Sequence, residues 1–225
     1  MSEAKSILVV APHADDETLG CGGTILRFRA QGYKVHWLLV TGMSEHSGFS
    51  KARIESRKKE IGTVANLYDF NGIHELNYPP AELDTLSKGS IVASISAVIK
   101  EIRPEIVFTP YRNDAHSDHE VVFDSVMSAV KSFRAPFVKK VLAYETISET
   151  DFGMKPEDGG FKANVFIDIQ GYLDKKISIL EVFESEIGEF PFPRSRKALT
   201  ALAYLRGAQC NAEAAEAFML IKEII

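Results

Sequence analysis

The chain has 225 residues, of which 45% are hydrophobic and 25% charged, and these are the proportions of an ordinary globular protein. A net charge of −5 without a basic stripe argues against a nucleic-acid partner. The longest apolar stretches are too short to cross a bilayer, so we expect no membrane span.

The length suits one large domain, and we expect a single domain over residues 1–225. The first apolar run is short and ends in "HADDE", which is unlike a signal peptide. The only cysteines, Cys21 and Cys210, lie far apart and outside any C-x-x-C pattern. We therefore expect reduced thiols in a cytoplasmic protein.

Apolar runs alternate with helical patterns along the chain. Strands are predicted at residues 6–12, 33–42, 72–78, 105–110, 140–145 and 164–169. Helices are predicted at residues 18–31, 50–68, 91–102, 117–132, 171–188 and 195–206, the last one stopped by Gly207. The final residues, 212–225, are helical by propensity, but their "FMLI" fits an edge strand equally well.

This alternation predicts an α/β fold, a Rossmann-like three-layer sandwich with a mostly parallel sheet and helices on both faces. Ligands of such sheets bind at the carboxyl ends of the strands. Two loops, residues 11–17 and 110–119, are therefore expected to meet at one crevice.

The first loop carries His13, Asp15 and Asp16 side by side at the end of a buried strand. Like charges this close repel each other, and partial burial penalises each one further, so a cation is expected there. The second loop adds His116 and His119. Two neutral imidazoles, one carboxylate and an open fourth position are a standard arrangement for catalytic zinc.

The second loop also begins a predicted helix. Ser117 and Glu120 have the spacing of a capping box, so we expect Ser117 to be the N-cap. His119 then falls in the first turn, where the helix dipole favours the neutral imidazole that a metal ligand needs. A carboxylate beside a metal-activated water can act as general base, and a histidine kept protonated by an aspartate can stabilise an oxyanion and protonate a leaving amine.

Together, "PHADDE" (12–17) and "HSDH" (116–119) resemble the "PHPDDE … HPDH" signature of the LmbE/PIG-L family, zinc-dependent de-N-acetylases of N-acetylglucosamine-type sugars on varied aglycones. The resemblance covers roughly residues 5–170, and residues 190–218 look like the tail of bacterial members. Ala14 and Ser117 replace prolines of the signature, and neither position donates chemistry.

The resemblance implies a role for each matching position. Zinc (Zn²⁺) would be held by His13, Asp16 and His119. Asp15 would be the general base, and His116 would stabilise the oxyanion and protonate the amine, oriented by Asp118. Arg57 in "RKKE" (57–60) resembles the family's R-x-x-E arginine, which reaches the sugar, with Arg53 as a rival one turn away; Asp114 would line the sugar site or serve a turn. The implied substrate is a small N-acetylated amino-sugar conjugate, and a homo-oligomer is compatible with the family.

Two other classes of protein compete with the deacetylase. "GCGG" (20–23) suggests a Rossmann-type nucleotide- or S-adenosylmethionine-binding enzyme, but the fingerprint needs a small residue where Ile25 stands. We therefore expect these glycines to let the first helix pack closely. A metal-binding module without catalysis is the second alternative, although Asp15 and His116 exceed what a structural zinc site needs.

Overall fold

The structure is a computed structural model that describes residues 5–153 and 159–225. The strands in these residues are β1 (Ser6–Ala11), β2 (Lys34–Thr41), β3 (Gly72–Tyr78), β4 (Ile106–Pro110), β5 (Lys140–Tyr144), β6 (Val165–Asp168) and β7 (Ala215–Glu223). The α-helices are α1 (Asp16–Ala30), α2 (Lys51–Tyr68), α3 (Lys88–Ile102), α4 (Ser117–Ala129), α5 (Leu173–Leu180) and α6 (Arg196–Cys210). A short 3₁₀ helix lies at Leu83–Thr85.

The described strands form one sheet in the order β3-β2-β1-β4-β5-β7-β6. Strands β1 to β5 run parallel to one another, whereas β7 is antiparallel to both of its neighbours, β5 and β6. On β1, Ile7 and Val9 face a core shared with α1, α2, α5 and α6, while Leu8 and Val10 face a core shared with α3 and α4. The predicted three-layer α/β sandwich is confirmed. Because both faces are covered, the strands read as apolar runs rather than as alternating patterns.

The glycines of α1 have the packing role expected of them. A Cβ atom at Gly20 would overlap the ring of Tyr144 on β5, and one at Gly23 would come within 2.6 Å of Ile169. Close approach of α1 to the sheet therefore requires glycine at both positions.

The final residues are an interior strand, so neither the helix nor the edge position expected for them is correct. Strand β7 pairs with β5 on one side and β6 on the other. Ala217 and Phe218 are buried in the sheet. Pairing on two sides outweighs the helix propensity of the alanines and glutamates, which is a weak preference.

Two predicted helices have different ends in the structure. Helix α5 stops at Leu180. The chain turns there and buries Phe183, whose ring lies under the guanidinium of Arg57. Helix α6 passes through Gly207 and ends at Cys210, and Asn211, whose backbone is left-handed (φ 58°), forms the C-cap. Gly207 instead allows a close return of the chain, since a Cβ there would lie 2.6 Å from the carbonyl oxygen of Ala212.

In the described part of the chain, no helix combines the length and the apolar character needed to cross a membrane.

Candidate active site

A cleft of about 260 Å³ lies at the carboxyl ends of β1 and β4, which are neighbours in the sheet. The loop after β1 and the loop after β4 therefore meet there, as the topology rule predicts. One side of the cleft presents His13, Asp15 and His116. The rest of its lining includes the charged residues Arg57, Glu149, Glu186 and Arg194 and the apolar residues Leu39, Met43, Phe49 and Ile61.

The three residues predicted to bind zinc converge beside this cleft. Ligand atoms of His13, Asp16 and His119 all lie within 4.8 Å of one another. Asp16 Oδ2 is 3.3 Å from His13 Nδ1 and 3.3 Å from His119 Nε2. His119 Nε2 is buried and has no hydrogen-bond partner among the described residues, which is costly unless something else binds it. The donor set and this unsatisfied nitrogen fit a metal ion.

Each of the two imidazoles is held from behind by a carboxylate. His13 Nε2 lies 2.9 Å from Asp118 Oδ2, and His119 Nδ1 lies 2.7 Å from Asp114 Oδ2. In metalloproteins such carboxylates fix the tautomer of a ligand histidine and make its free nitrogen more basic. The arrangement leaves His13 Nδ1 and His119 Nε2 to face Asp16.

The pKa values of both imidazoles reflect the acidity of this site. Burial lowers the pKa of His13, but the hydrogen bonds to Asp118 and Asp16 have the larger combined effect and raise the pKa to about 9. For His119, burial is likewise outweighed by Asp16 and Asp114, which raise the pKa to about 10. The dipole of α4 was expected to favour the neutral form of His119, but the effect of Asp16 and Asp114 on the pKa is larger than that of the dipole. The site attracts positive charge, and a metal ion that bound there would displace the protons of His13 Nδ1 and His119 Nε2 but not those that face Asp118 and Asp114.

The positions of Asp118 and Asp114 correct two predictions. Asp118 Oδ2 is 3.9 Å from His116 Nδ1, so its carboxylate serves His13 instead; it also accepts the backbone N–H of Ala81 at 2.7 Å. Asp114 is 2% exposed, and its other oxygen accepts the Thr150 hydroxyl at 2.6 Å. Both carboxylate oxygens of Asp114 are engaged behind His119, and the side chain is not part of the cleft lining that the sugar was expected to meet.

His116, not Ser117, is the N-cap of α4. Its Nδ1 accepts a hydrogen bond from the backbone N–H of Asp118 at 3.1 Å. The imidazole nitrogen thus takes the part that the hydroxyl oxygen has when serine is the N-cap. An accepting Nδ1 leaves the proton of the neutral ring on Nε2. Burial and the charge of His13 lower the pKa of His116. His116 is therefore a neutral donor in this geometry rather than the imidazolium expected from the sequence.

Asp15 has a strained backbone, with φ 148° and ψ −27°, which costs about 1–3 kcal/mol for a residue other than glycine. Neighbours hold this conformation: the N–H of Asp15 donates to Glu17 Oε2 at 3.1 Å, and its carbonyl accepts the N–H of Leu19 at 2.8 Å. Asp15 is the N-cap residue of α1, but its side chain accepts no hydrogen bond from the first turn, so helix capping does not account for an aspartate at this position. Burial and the charge of Asp16 raise the pKa of Asp15 to about 7, with Arg194 opposing them. A base near neutrality is well matched to proton transfer at physiological pH.

Of the two arginines considered as sugar contacts, Arg57 belongs to the lining of the cleft and Arg53 does not. Arg57 lines it, but Nη1 donates to the carbonyl of Ala14 at 2.7 Å and Nη2 contacts Glu186. Arg53 is more exposed and pairs with Glu60 at 3.2 Å. Arg57 thus holds the loop that carries Asp15.

Sequence reasoning missed Arg194, whose Nη1 lies 2.7 Å from Asp15 Oδ2. Arg194 lies within residues 190–218, the segment that resembles the tail of bacterial family members, but that resemblance implies no role for it. The only sequence signal was an arginine after the proline-rich "FPFP" (190–193), immediately before a helix.

Comparison with known proteins places the chain in a family. The sequence profile described as PIG-L, GlcNAc-PI de-N-acetylase, matches residues 8–130, more than half of the chain. The chain therefore belongs to this de-N-acetylase family, and the predicted enzyme class, an N-deacetylase, is confirmed. No support remains for the nucleotide-binding alternative.

Individual relatives agree. The chain is 28% identical over 206 residues to the diacetylchitobiose deacetylase of Thermococcus kodakarensis, covering 84% of this chain and 72% of that protein. Its fold matches the crystal structure of the conserved protein TT1542 from Thermus thermophilus with a TM-score of 0.79 and 25% identity, covering 97% and 96% of the two chains. The hydratase GalB from Pseudomonas putida KT2440 shares the fold alone, with a TM-score of 0.75, 20% identity and 98% coverage of each chain.

Proposed function

We propose that this protein is a zinc-dependent hydrolase that removes the N-acetyl group from a GlcNAc-type amino-sugar conjugate. The observation that carries the proposal is the buried, unsatisfied Nε2 of His119, which faces Asp16 beside a cleft that also contains Asp15. Two imidazoles and one carboxylate with room for a further ligand are the donor set of catalytic zinc.

His13, Asp16 and His119 would hold the ion. When bound, it would polarise the amide carbonyl and lower the pKa of a water molecule in the cleft. Asp118 and Asp114 would keep the two imidazoles in the ligand tautomer by accepting their other N–H groups.

Asp15 and His116 would carry the proton chemistry. Asp15 takes a proton from the attacking water, and the Nε2–H of His116 donates a hydrogen bond to the oxyanion that forms from the carbonyl. Protonated Asp15 then gives its proton to the amide nitrogen, the C–N bond breaks, and acetic acid and the free amine leave. This differs from the sequence-based expectation that His116 protonates the amine, because its Nδ1 already accepts the N–H of Asp118.

The lining of the cleft suits a sugar ring, which offers hydroxyl groups at its edge and C–H groups on its faces. Apolar Leu39, Phe49 and Ile61 would contact a face, while Glu149 would reach hydroxyl groups. Arg57 would act on the sugar through Glu186 and the Ala14 loop, since those groups already engage its guanidinium.

The decisive experiment incubates zinc-loaded protein with a panel of N-acetylglucosamine conjugates that includes diacetylchitobiose, and measures released primary amine and acetate. We expect zinc-dependent release. Asp15→Asn should lower turnover about 10²–10⁴-fold, the usual contribution of a general base, with zinc content unchanged. Asp174→Asn, at a fully exposed carboxylate, is the control.

Two results would contradict the proposal. Release of no amine from any conjugate by the zinc-loaded protein would favour a metal-binding module or a different reaction of the kind that GalB performs on this fold. Normal turnover by zinc-loaded Asp15→Asn would remove Asp15 from the role of base.

A further inference from the structure

We propose that Arg194 is a positioning residue for the general base: its guanidinium fixes Oδ2 of Asp15, so that Oδ1 is the oxygen that takes and returns the proton. This inference rests on the proposed function, because it takes Asp15 as the base. Arg194 lies outside the segment that the family profile matches, residues 8–130.

The guanidinium of Arg194 is itself held on several sides. Nη1 lies 2.7 Å from Asp15 Oδ2, and Nε donates to Ser148 Oγ at 2.7 Å. Nη2 lies 3.3 Å from Glu149 Oε1, and Nη1 lies 3.4 Å from Glu186 Oε2. The side chain is only 17% exposed. These partners come from the loop after β1, the loop after β5 and the turns after α5, so the guanidinium cannot swing toward a substrate without breaking several contacts.

Contacts within the first loop fix the backbone of Asp15 but not its carboxylate. Glu17 accepts the Asp15 N–H, and Arg57 donates to the Ala14 carbonyl, yet neither contact sets the side-chain torsions. Among the described residues, Arg194 is the only donor to the Asp15 carboxylate, and it contacts Oδ2 alone. Oδ1 has no described donor, which leaves it for the water.

A proton acceptor must be placed within hydrogen-bond reach of the proton it takes, and a displacement of 1 Å costs about 10²-fold in rate. Because Arg194 acts through Asp15, its loss should lower kcat and leave KM little changed. A direct role in substrate binding would do the reverse.

The test compares Arg194→Gln with Arg196→Gln in the zinc-loaded protein. Arg196 is two residues away, is 51% exposed and pairs with Glu181, so its replacement removes an ion pair from the same segment without touching Asp15. We expect kcat to fall about 10²-fold in Arg194→Gln and to stay normal in the control. Arg194→Lys, which keeps the charge but not the planar fork, should recover part of the loss and also tests the idea if the glutamine variant does not fold.

A double variant isolates the mechanism. Asp15→Asn with Arg194→Gln should turn over no more slowly than Asp15→Asn alone, because the arginine has nothing left to position. Losses that multiply, or a raised KM with normal kcat, would overturn the inference.

A second readout does not depend on activity. Crystal structures of the metal-free wild type, Arg194→Gln and Arg196→Gln should show the Asp15 carboxylate rotated only in Arg194→Gln. An unchanged Asp15 rotamer in Arg194→Gln would overturn the positioning role. If the wild type releases no amine from any conjugate, the proposed function fails, and the crystal structures still decide whether Arg194 orients Asp15.

Discussion

Replacing Asp114 by asparagine should weaken zinc binding without opening the cleft. Asp114 Oδ2 lies 2.7 Å from His119 Nδ1, and its Oδ1 accepts the Thr150 hydroxyl. The hydroxyl of Thr150 in turn accepts the N–H of Thr146 at 2.9 Å. Asparagine has nearly the same shape, but only one of its two terminal atoms can accept a hydrogen bond.

Both orientations of the new amide are unfavourable. If its NH₂ faces His119, the ring proton must move from Nδ1 to Nε2, the nitrogen that faces Asp16. If its NH₂ faces Thr150, the hydroxyl proton of that residue loses its acceptor. Either arrangement loses a buried hydrogen bond of a charged group, which is worth about 1.5–3 kcal/mol. That range agrees with the 10–100-fold loss of metal affinity, about 1.4–2.8 kcal/mol, found when such partners are removed.

The measurement is the zinc dissociation constant, determined by competition with a chromogenic chelator. Asp124→Asn is the matched control, because Asp124 is on α4, the helix that carries His119, but binds Lys88 and Arg112 rather than a ligand histidine. Asp118→Asn should behave like Asp114→Asn, since it removes the equivalent partner of His13. Wild-type zinc affinity in a folded Asp114→Asn protein would refute the assignment of His119 Nε2 as a ligand atom.

Other predictions concern stability. Stripping zinc with a chelator should lower the melting temperature. Compared with protein in free zinc at 1,000 times the dissociation constant, the free energy of unfolding should fall by about 4 kcal/mol. An unchanged melting temperature would count against a metal in this site. In urea unfolding, Gly20→Ala should cost about 1–3 kcal/mol, because its Cβ meets the buried ring of Tyr144. Gly62→Ala, at an exposed position of α2 with nothing within 4 Å, should instead gain about 0.5–1 kcal/mol; the opposite order would contradict the packing described for α1.

The sequence was sufficient to predict the parallel strands of the sheet and the meeting of the two loops, but not the interior position of β7, because only the first two follow from short-range patterns. A buried strand such as β1 is an uninterrupted apolar run, and the order of strands and helices determines where parallel strands end. His13, Asp16 and His119 converge for that reason, although 106 positions separate His13 from His119.

The pairing of polar atoms inside the site could not be predicted in the same way. Whether Asp118 contacts His13 or His116 depends on where the backbone N–H groups of Ala81 and Leu83 lie, and those belong to the distant segment between β3 and α3. Arg194 reaches Asp15 across 179 positions through a turn that carries no helical or strand periodicity. Long-range hydrogen bonds leave little trace in local sequence.

The insertion of β7 between β5 and β6 has a consequence for how the chain folds. Strand β6 lies at the edge of the sheet, with β7 as its neighbour, so it has no place in the sheet until residues more than 45 positions later have docked. Glu216 on β7 also accepts the N–H groups of Gly23 and Thr24 across more than 190 positions, which fastens the helix that begins at Asp16. Closing such long loops costs entropy before any contact is gained, and folds dominated by them form slowly. We expect the nascent chain to assemble the β3-β2-β1-β4 half of the sheet first, and to acquire a rigid metal site only in the last step of folding.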